Sequence, residues 1–317
     1  MNYDLFNGDA DGICALLQLR LAEPRESTLV TGVKRDINLL GKINAVAGDE
    51  LTVLDVSMDK NKAALNEALQ ADAHVFYVDH HFPGEVPDHP NLTIIINESP
   101  EVCTAALVNG HLGGRFATWA VTGAFGDNLA RTARALAADL ALSDAELDLL
   151  QELGTYINYN GYGPSIEDLH FDPEELYLAL YEARDPLAFA RDSADFTRLR
   201  DGYREDMGMA AGLLPLQCTE TNAVFALPDQ PWARRVSGVY SNDLASDNPG
   251  RAHAVLTEKS DGNYLVSVRA PMNNKQGAAD LCRQFPTGGG RAGAAGINDL
   301  AASALDDFVA AFQQAYP

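Results

Sequence analysis

The chain reads as an α/β protein with a parallel-sheet domain over residues 1–128, a helical connector over 129–216 and a smaller α/β domain over 217–317. Three observations predict this. Apolar strand-like runs alternate with helix-period stretches through the first 127 residues, and such alternation builds a parallel sheet. Three of those runs, Tyr3 to Phe6, Leu51 to Leu54 and Val75 to Val78, lead into aspartate, which suits strand ends opening onto a crevice. After residue 129 the composition turns helical, and strand-like runs return near Gln217.

The elements follow in order. After the opening strand, residues 11–21 carry Ile13, Leu16, Leu17, Leu19 and Leu21 at near-helical spacing, and Pro24 ends the helix. Residues 27–30 and 51–54 read as strands, and 60–69 as a helix capped by Ser57 or Asp59. Val75 to Val78 forms the strand that ends at Asp79. The β-branched run at 92–96 reads as a buried strand. Helices are expected over 104–111 and 116–125. In the connector they are expected over 133–142, 147–157 behind Ser143 to Glu146 as the cap, 173–183 and 189–212. Residues 158–164 read as a turn between helices that is able to line the crevice. Beyond Gln217, strands are expected at 223–227, 252–256 and 264–268, with Asp261-Gly262-Asn263 as the turn between the last two. Helices are expected at 232–245, 277–285 and 300–315.

Composition bounds the function. No run of 18 or more apolar residues occurs, and the start lacks the basic-then-apolar pattern of a signal peptide, so a cytoplasmic protein is expected. Cys14, Cys103, Cys218 and Cys282 form no CxxC pair and are expected to be buried free thiols. With 45 acidic against 23 basic side chains, the net charge of −22 gives no basic stripe for gripping long duplex nucleic acid. A polyanionic substrate should therefore be short, with metal ions supplying much of the positive charge. Trp119 and Trp232 lie in apolar helical stretches and read as core; His111, His170 and His253 read as surface or packed residues.

The strand ends would deliver Asp9, Asp11, Asp55, Asp79, His80 and His81 to one crevice. Carboxylates with neutral imidazoles suit divalent ions of the magnesium or manganese kind. Two such ions about 3.5 to 4 Å apart can bind one phosphoryl group and need a shared ligand, for which Asp55, alone at its strand end, is the natural bridge.

Asp9-Ala10-Asp11-Gly12, then Asp55, then Asp79-His80-His81, then Asp127 within Gly126-Asp127-Asn128 resemble the ordered motifs of the DHH phosphoesterase superfamily. The run Gly288-Gly289-Gly290-Arg291-Ala292-Gly293-Ala294-Ala295-Gly296 resembles the GGGHxxAAG loop of its DHHA1 domain, and Val266 to Arg269 the strand before it. The resemblance implies two manganese ions, with magnesium as the alternative. One ion would be held by Asp9 and Asp55, the other by Asp11, Asp55, His80 and Asp127. Asp79 would orient His80, and His81 would face the phosphate or the leaving group. The reaction implied is two-metal hydroxide attack on phosphorus. Arg269 and Arg291, with the amides of Gly288, Gly289 and Gly290, would hold the rest of the substrate. Two departures stand out: Leu5 occupies a position where many small members have histidine, and Arg291 replaces the histidine of the glycine-rich loop.

The leading expectation is therefore a metal-dependent phosphoesterase of short nucleotide substrates, namely short oligoribonucleotides, linear dinucleotides or 3′-phosphonucleotides. This resembles the nano-RNase and bisphosphonucleoside phosphatase branch. Exonuclease action on single-stranded DNA in the manner of RecJ, and a nucleotide-binding regulator with a degenerate metal site, are the alternatives. No membrane partner is expected, and the oligomeric state is open, a homodimer included.

Overall fold

The computed structural model describes all 317 residues, which divide into two compact units, Met1–Gly202 and Tyr203–Pro317. In chain order the first unit comprises β1 (Asn2–Phe6), α1 (Ala10–Ala22), β2 (Thr28–Val30), β3 (Glu50–Leu54), α2 (Met58–Gln70), β4 (His74–Asp79) and β5 (Leu92–Ile96). It continues through α3 (Thr104–His111), α4 (Ala117–Gly126), α5 (Ala130–Ala137), α6 (Asp144–Asn160), α7 (Pro173–Ala183) and α8 (Pro186–Asp192), and the boundary falls within α9 (Ala194–Ala211). Most of the segment read as a connector thus belongs to the first unit, where α6 packs on α4 and α8, and α7 packs on α1.

The five strands pair in parallel in the order β2-β1-β3-β4-β5. In this doubly wound order the chain moves to opposite sides of β1 when it enters β2 and β3, so a crevice opens at the carboxyl ends of β1 and β3. The strands are apolar because both faces are covered: Leu5, Val53 and Tyr77 have no exposed surface, and such a side chain contributes about 1.5 to 3 kcal/mol when fully buried. Helix α1 is buried along most of its length, as expected for a helix apolar on several faces. A buried ion pair is built on this sheet. Asp4 in β1 receives Nε and Nη2 of Arg20 at 2.7 and 2.6 Å and the Ser27 hydroxyl at 2.5 Å, while Arg20 also donates to Thr52 at 2.9 Å. This bidentate pair ties β1, α1 and β3 together.

Several elements differ from their sequence expectation. The 92–96 run is an edge strand rather than a buried one, and Ile94 is 40% exposed. Ser57 stands at the N-terminus of α2, but its hydroxyl donates to the Phe82 carbonyl instead of capping the helix. The helix expected at 133–142 ends at Ala137, and the one expected at 189–212 is two helices. The break has a local cause: Ser193 is extended (ψ 134°) and its hydroxyl accepts from the Asp195 amide at 3.0 Å, which starts α9, while Asp185 caps the start of α8 by accepting from the Ala188 amide. By contrast, Ser143 and Glu146 form the full capping box of α6.

The second unit contains β6 (Gln217–Cys218), β7 (Asn222–Leu227), α10 (Pro231–Asp247), β8 (Ala252–Glu258), β9 (Tyr264–Arg269), α11 (Ala278–Cys282), β10 (Gly288–Gly290), β11 (Ala294–Leu300) and α12 (Leu305–Ala315). Its mixed sheet runs β10-β11-β9-β8-β7-β6, with only β7 and β8 parallel, joined by α10. Phe308, Phe312 and Tyr316 pack from the chain's end against Val266, Val268 and Ile297. The glycine-rich stretch is a hairpin, not an open loop: Gly288 to Gly290 pair with Ile297 to Ala295, and the helix expected from residue 300 starts at Leu305. Cys14, Cys103 and Cys282 are buried as expected, whereas Cys218 is exposed. Trp119 is buried, Trp232 only partly. No helix is long and apolar enough to cross a membrane.

Candidate metal centre

The carboxyl ends of β1, β3 and β4 and the start of α3 supply the site. Asp9 follows the Asn7-Gly8 turn, where a Cβ on Gly8 would fall 1.9 Å from the Gly32 carbonyl oxygen, so only glycine lets the two loops approach this closely. Asp9 caps α1, one carboxylate oxygen accepting from the amides of Asp11 at 3.0 Å and Gly12 at 3.1 Å. Its other oxygen receives the Lys34 ammonium at 2.5 Å. Asp11, one turn inside, accepts from the amides of Thr104 and Ala105, both at 2.7 Å, so a helix N-terminus holds each of its oxygens. Asp55 follows β3 with φ 59°, a left-handed conformation that aspartate tolerates and most side chains do not, and its Oδ1 receives the Thr104 hydroxyl at 3.1 Å. Such strain is commonly kept where function requires one orientation.

The two histidines are held differently. His80 Nδ1 lies 2.8 Å from the Val102 carbonyl oxygen, and a carbonyl only accepts, so the hydrogen is on Nδ1. Nε2 then faces Asp55 Oδ1 at 3.5 Å and oxygens of Asp11 and Asp127, both at 3.9 Å. His81 donates from Nδ1 to Asp79 Oδ1 at 2.7 Å and is 46% exposed. This corrects the expected support of His80 by Asp79: the Asp79 bond goes to His81, and a backbone carbonyl orients His80. The other Asp79 oxygen is buried without a partner. Asp127 ends α4, its Oδ1 at 4.0 Å from Lys34 Nζ.

The electrostatics follow from crowding. Burial, and then repulsion from Asp11, Asp9, Asp79 and Asp127, push the Asp55 carboxyl well above its ordinary range. Burial likewise raises Asp127, to about 6, against the opposing pull of Lys34. For Asp9, burial is outweighed by the Lys34 charge and hydrogen bond, and its carboxyl is lowered. Burial disfavours charge on His81 too, yet the Asp79 hydrogen bond and charge prevail and raise it.

These donors fit a divalent cation. The donor atoms of Asp55, His80 and His81 lie within 4.8 Å of one another, as do those of Asp11, His80 and Asp127. His80 Nε2 faces three carboxylates, and carboxylates crowded this closely repel one another unless a cation sits among them. Asp9 is in neither group.

Lys34 escaped the sequence reading of the site, whereas Asn158 falls in the 158–164 stretch read as able to line the crevice. Lys34 follows β2 and reaches Asp9 and, at 2.8 Å, the Asn158 side-chain oxygen. Asn158 belongs to the last turn of α6, which runs three residues past its expected end. The signal for Lys34 was its place just beyond a parallel strand of a basic-poor chain. Arg35, next to it, lines an open cavity of about 640 Å³ with Gly32, Asp36, Gly163, Ser165 and Glu167, and burial works against its charge.

The expected substrate-binding residues lie in the second unit. Arg269 in β9 stands across from Ala294 and His253 and donates from Nε to the Asn242 side chain at 2.8 Å. Arg291 is exposed at the hairpin turn, its amide donating to Ala294. The Gly288 amide is engaged by the Phe285 carbonyl.

No protein-family model matches the sequence, and no curated protein matches it. Solved structures do resemble it. RecJ from Thermus thermophilus in complex with Mn2+ superposes with a TM-score of 0.61 at 18% identity, over 99% of this chain and 51% of that one. The present chain thus spans about half of that relative. A RecJ exonuclease bound to manganese gives 0.60 at 17% identity, over 99% and 89% of the two chains. A pGpG-specific phosphodiesterase, PggH from Vibrio cholerae, gives 0.57 at 16% identity, over 99% of both.

Proposed function

The chain has the RecJ-like fold of the DHH/DHHA1 phosphoesterases, and from that premise we propose that it hydrolyses phosphoester bonds of short nucleotide substrates with the help of manganese or magnesium. The observation that carries this reading is the convergence of Asp11, Asp55, Asp127, His80 and His81 at the switch point of the parallel sheet. A divalent ion bound there supplies charge neutralisation and an acidified water. The protein's own groups do the rest. His80 belongs to both donor groups and lies 3.5 Å from Asp55, whose carboxylate Thr104 steers. Asp79 holds the half-exposed His81 and favours its protonated form, a proton donor for the departing oxygen. Arg269 and Arg291 are proposed contacts to the substrate from the second unit.

The full-length likeness to a phosphodiesterase of a linear dinucleotide, together with the net charge of −22, favours a short substrate. The likeness to RecJ keeps single-stranded DNA as the second reading. Incubation with manganese and a panel of short RNAs, DNAs, linear dinucleotides and 3′-phosphonucleotides separates them. A rate that falls beyond a few nucleotides is expected; a rate sustained on long single strands would favour the exonuclease. Tight binding without any turnover would overturn the enzymatic reading, and an equally active Asp55→Asn variant would overturn the site.

A further inference from the structure

We propose that the Lys34 ammonium stands in for one of the two cations that the strand-end carboxylates call for, so that the crevice takes one divalent ion and not a pair. The inference rests on the reading of the crevice as a metal centre, and it concerns the side that contains Asp9. There every donor is already engaged. One Asp9 oxygen is held by two amides and the other by Lys34 Nζ at 2.5 Å, a distance not far above the roughly 2.0 to 2.1 Å of a magnesium–oxygen bond. Leu5, on the strand below, is fully buried and offers no ligand atom.

The ammonium is held in place rather than left to swing. The Lys34 amide donates to the Gly161 carbonyl at 2.8 Å, its own carbonyl accepts from the Asn7 side chain at 3.3 Å, and its Nζ also donates to Asn158 at 2.8 Å. Its side chain is only 23% exposed and lies against the Tyr162 ring. On the other side of the crevice the situation is reversed. Asp11, Asp55, Asp127 and His80 bring their donor atoms together with no lysine or arginine among them, and the nearest ammonium is Lys34, 4.0 Å from Asp127. A second divalent ion at Asp9 would have to displace a hydrogen-bonded ammonium and then sit beside it, against like-charge repulsion. An ammonium neutralises carboxylates and can donate to a phosphoryl oxygen, but it lacks the Lewis acidity that lowers the pKa of water. Any water activation therefore falls to the single ion on the His80 side.

Metal counting tests this independently of turnover. Metal-stripped protein is loaded with Mn2+, desalted, and examined by elemental analysis and electron paramagnetic resonance. The wild type is expected to retain about one ion per chain with the signal of an isolated Mn2+, where a paired site would hold two. Lys34→Ala should raise the count toward two with a spin-coupled signal, and Lys34→Arg should keep it at one. A wild type that binds two coupled ions would overturn the proposal, as would a folded Lys34→Ala protein that still holds one. If the alanine variant does not fold, the wild-type count alone decides. Failure of the wild type to bind any manganese would instead remove the metal-centre reading, and this inference with it.

Discussion

Replacing Asp55 by asparagine should make the metal-free protein more stable and the manganese-loaded protein less so. Asp11 and Asp127 each place an oxygen 3.9 Å from the same His80 nitrogen that lies 3.5 Å from Asp55 Oδ1. Neither oxygen can therefore be more than about 7 Å from Asp55, and at an effective dielectric of about 20 a unit charge at that distance repels it by about 2 kcal/mol. Salt and proton uptake relieve part of this, so a net gain of about 1 to 3 kcal/mol is expected for the metal-free variant, which is a rise in Tm of several degrees. Asparagine accepts the left-handed backbone at this position; alanine would lose about 1 kcal/mol or more to strain, so Asp55→Ala should gain less. At a metal concentration about a hundredfold above Kd, the wild type should gain about 2.7 kcal/mol from Mn2+ and the variant far less. Differential scanning calorimetry with and without manganese reads both effects. A metal-free Asp55→Asn protein less stable than wild type, or one stabilised by manganese to the same extent, would refute the repulsion argument.

Other consequences can be measured alongside. Arg20→Met leaves the buried Asp4 carboxylate without its bidentate partner and should cost about 3 to 5 kcal/mol in chemical denaturation. Ser143→Ala removes the hydroxyl half of the α6 capping box and should cost about 1 kcal/mol by the same measurement. His253 is 1% exposed with an unpartnered Nδ1, and burial lowers it from 6.5 to about 4. The unfolded chain therefore binds its proton first as pH falls, so wild type should lose up to about 3 kcal/mol relative to His253→Gln between pH 6.5 and 4, with no difference in slope above 7.

Much of the site was legible because strand-end chemistry follows chain order. A continuous apolar run that stops at aspartate fixes where Asp55 and Asp79 emerge, and the bounds of α3 and α7 coincide with their sequence readings. What could not be read depends on backbone direction after the element ends. Which of His80 and His81 turns toward Asp79 is decided by two dihedral pairs beyond β4, and no residue type encodes the choice. Lys34 reaches Asp9 across 25 positions through a loop without periodicity. Gly288 to Gly290 form a strand although glycine disfavours strands, because the register is imposed by β11, whose side chains fill the core. The run 92–96 looks the same whether central or at an edge, since position in a sheet depends on which strand comes last.

The grip on Asp11 has an evolutionary side. Both of its oxygens are held by backbone amides at the start of α3. An amide persists through nearly every mutation of the residue that carries it, so positions 104 and 105 can drift without loosening that hold. Proline alone deletes the donor. The carboxylate is therefore protected against ordinary substitution at a distant segment and exposed to one rare kind. A survey of tolerated replacements at Ala105 should show wide acceptance of small residues and a single sharp exclusion.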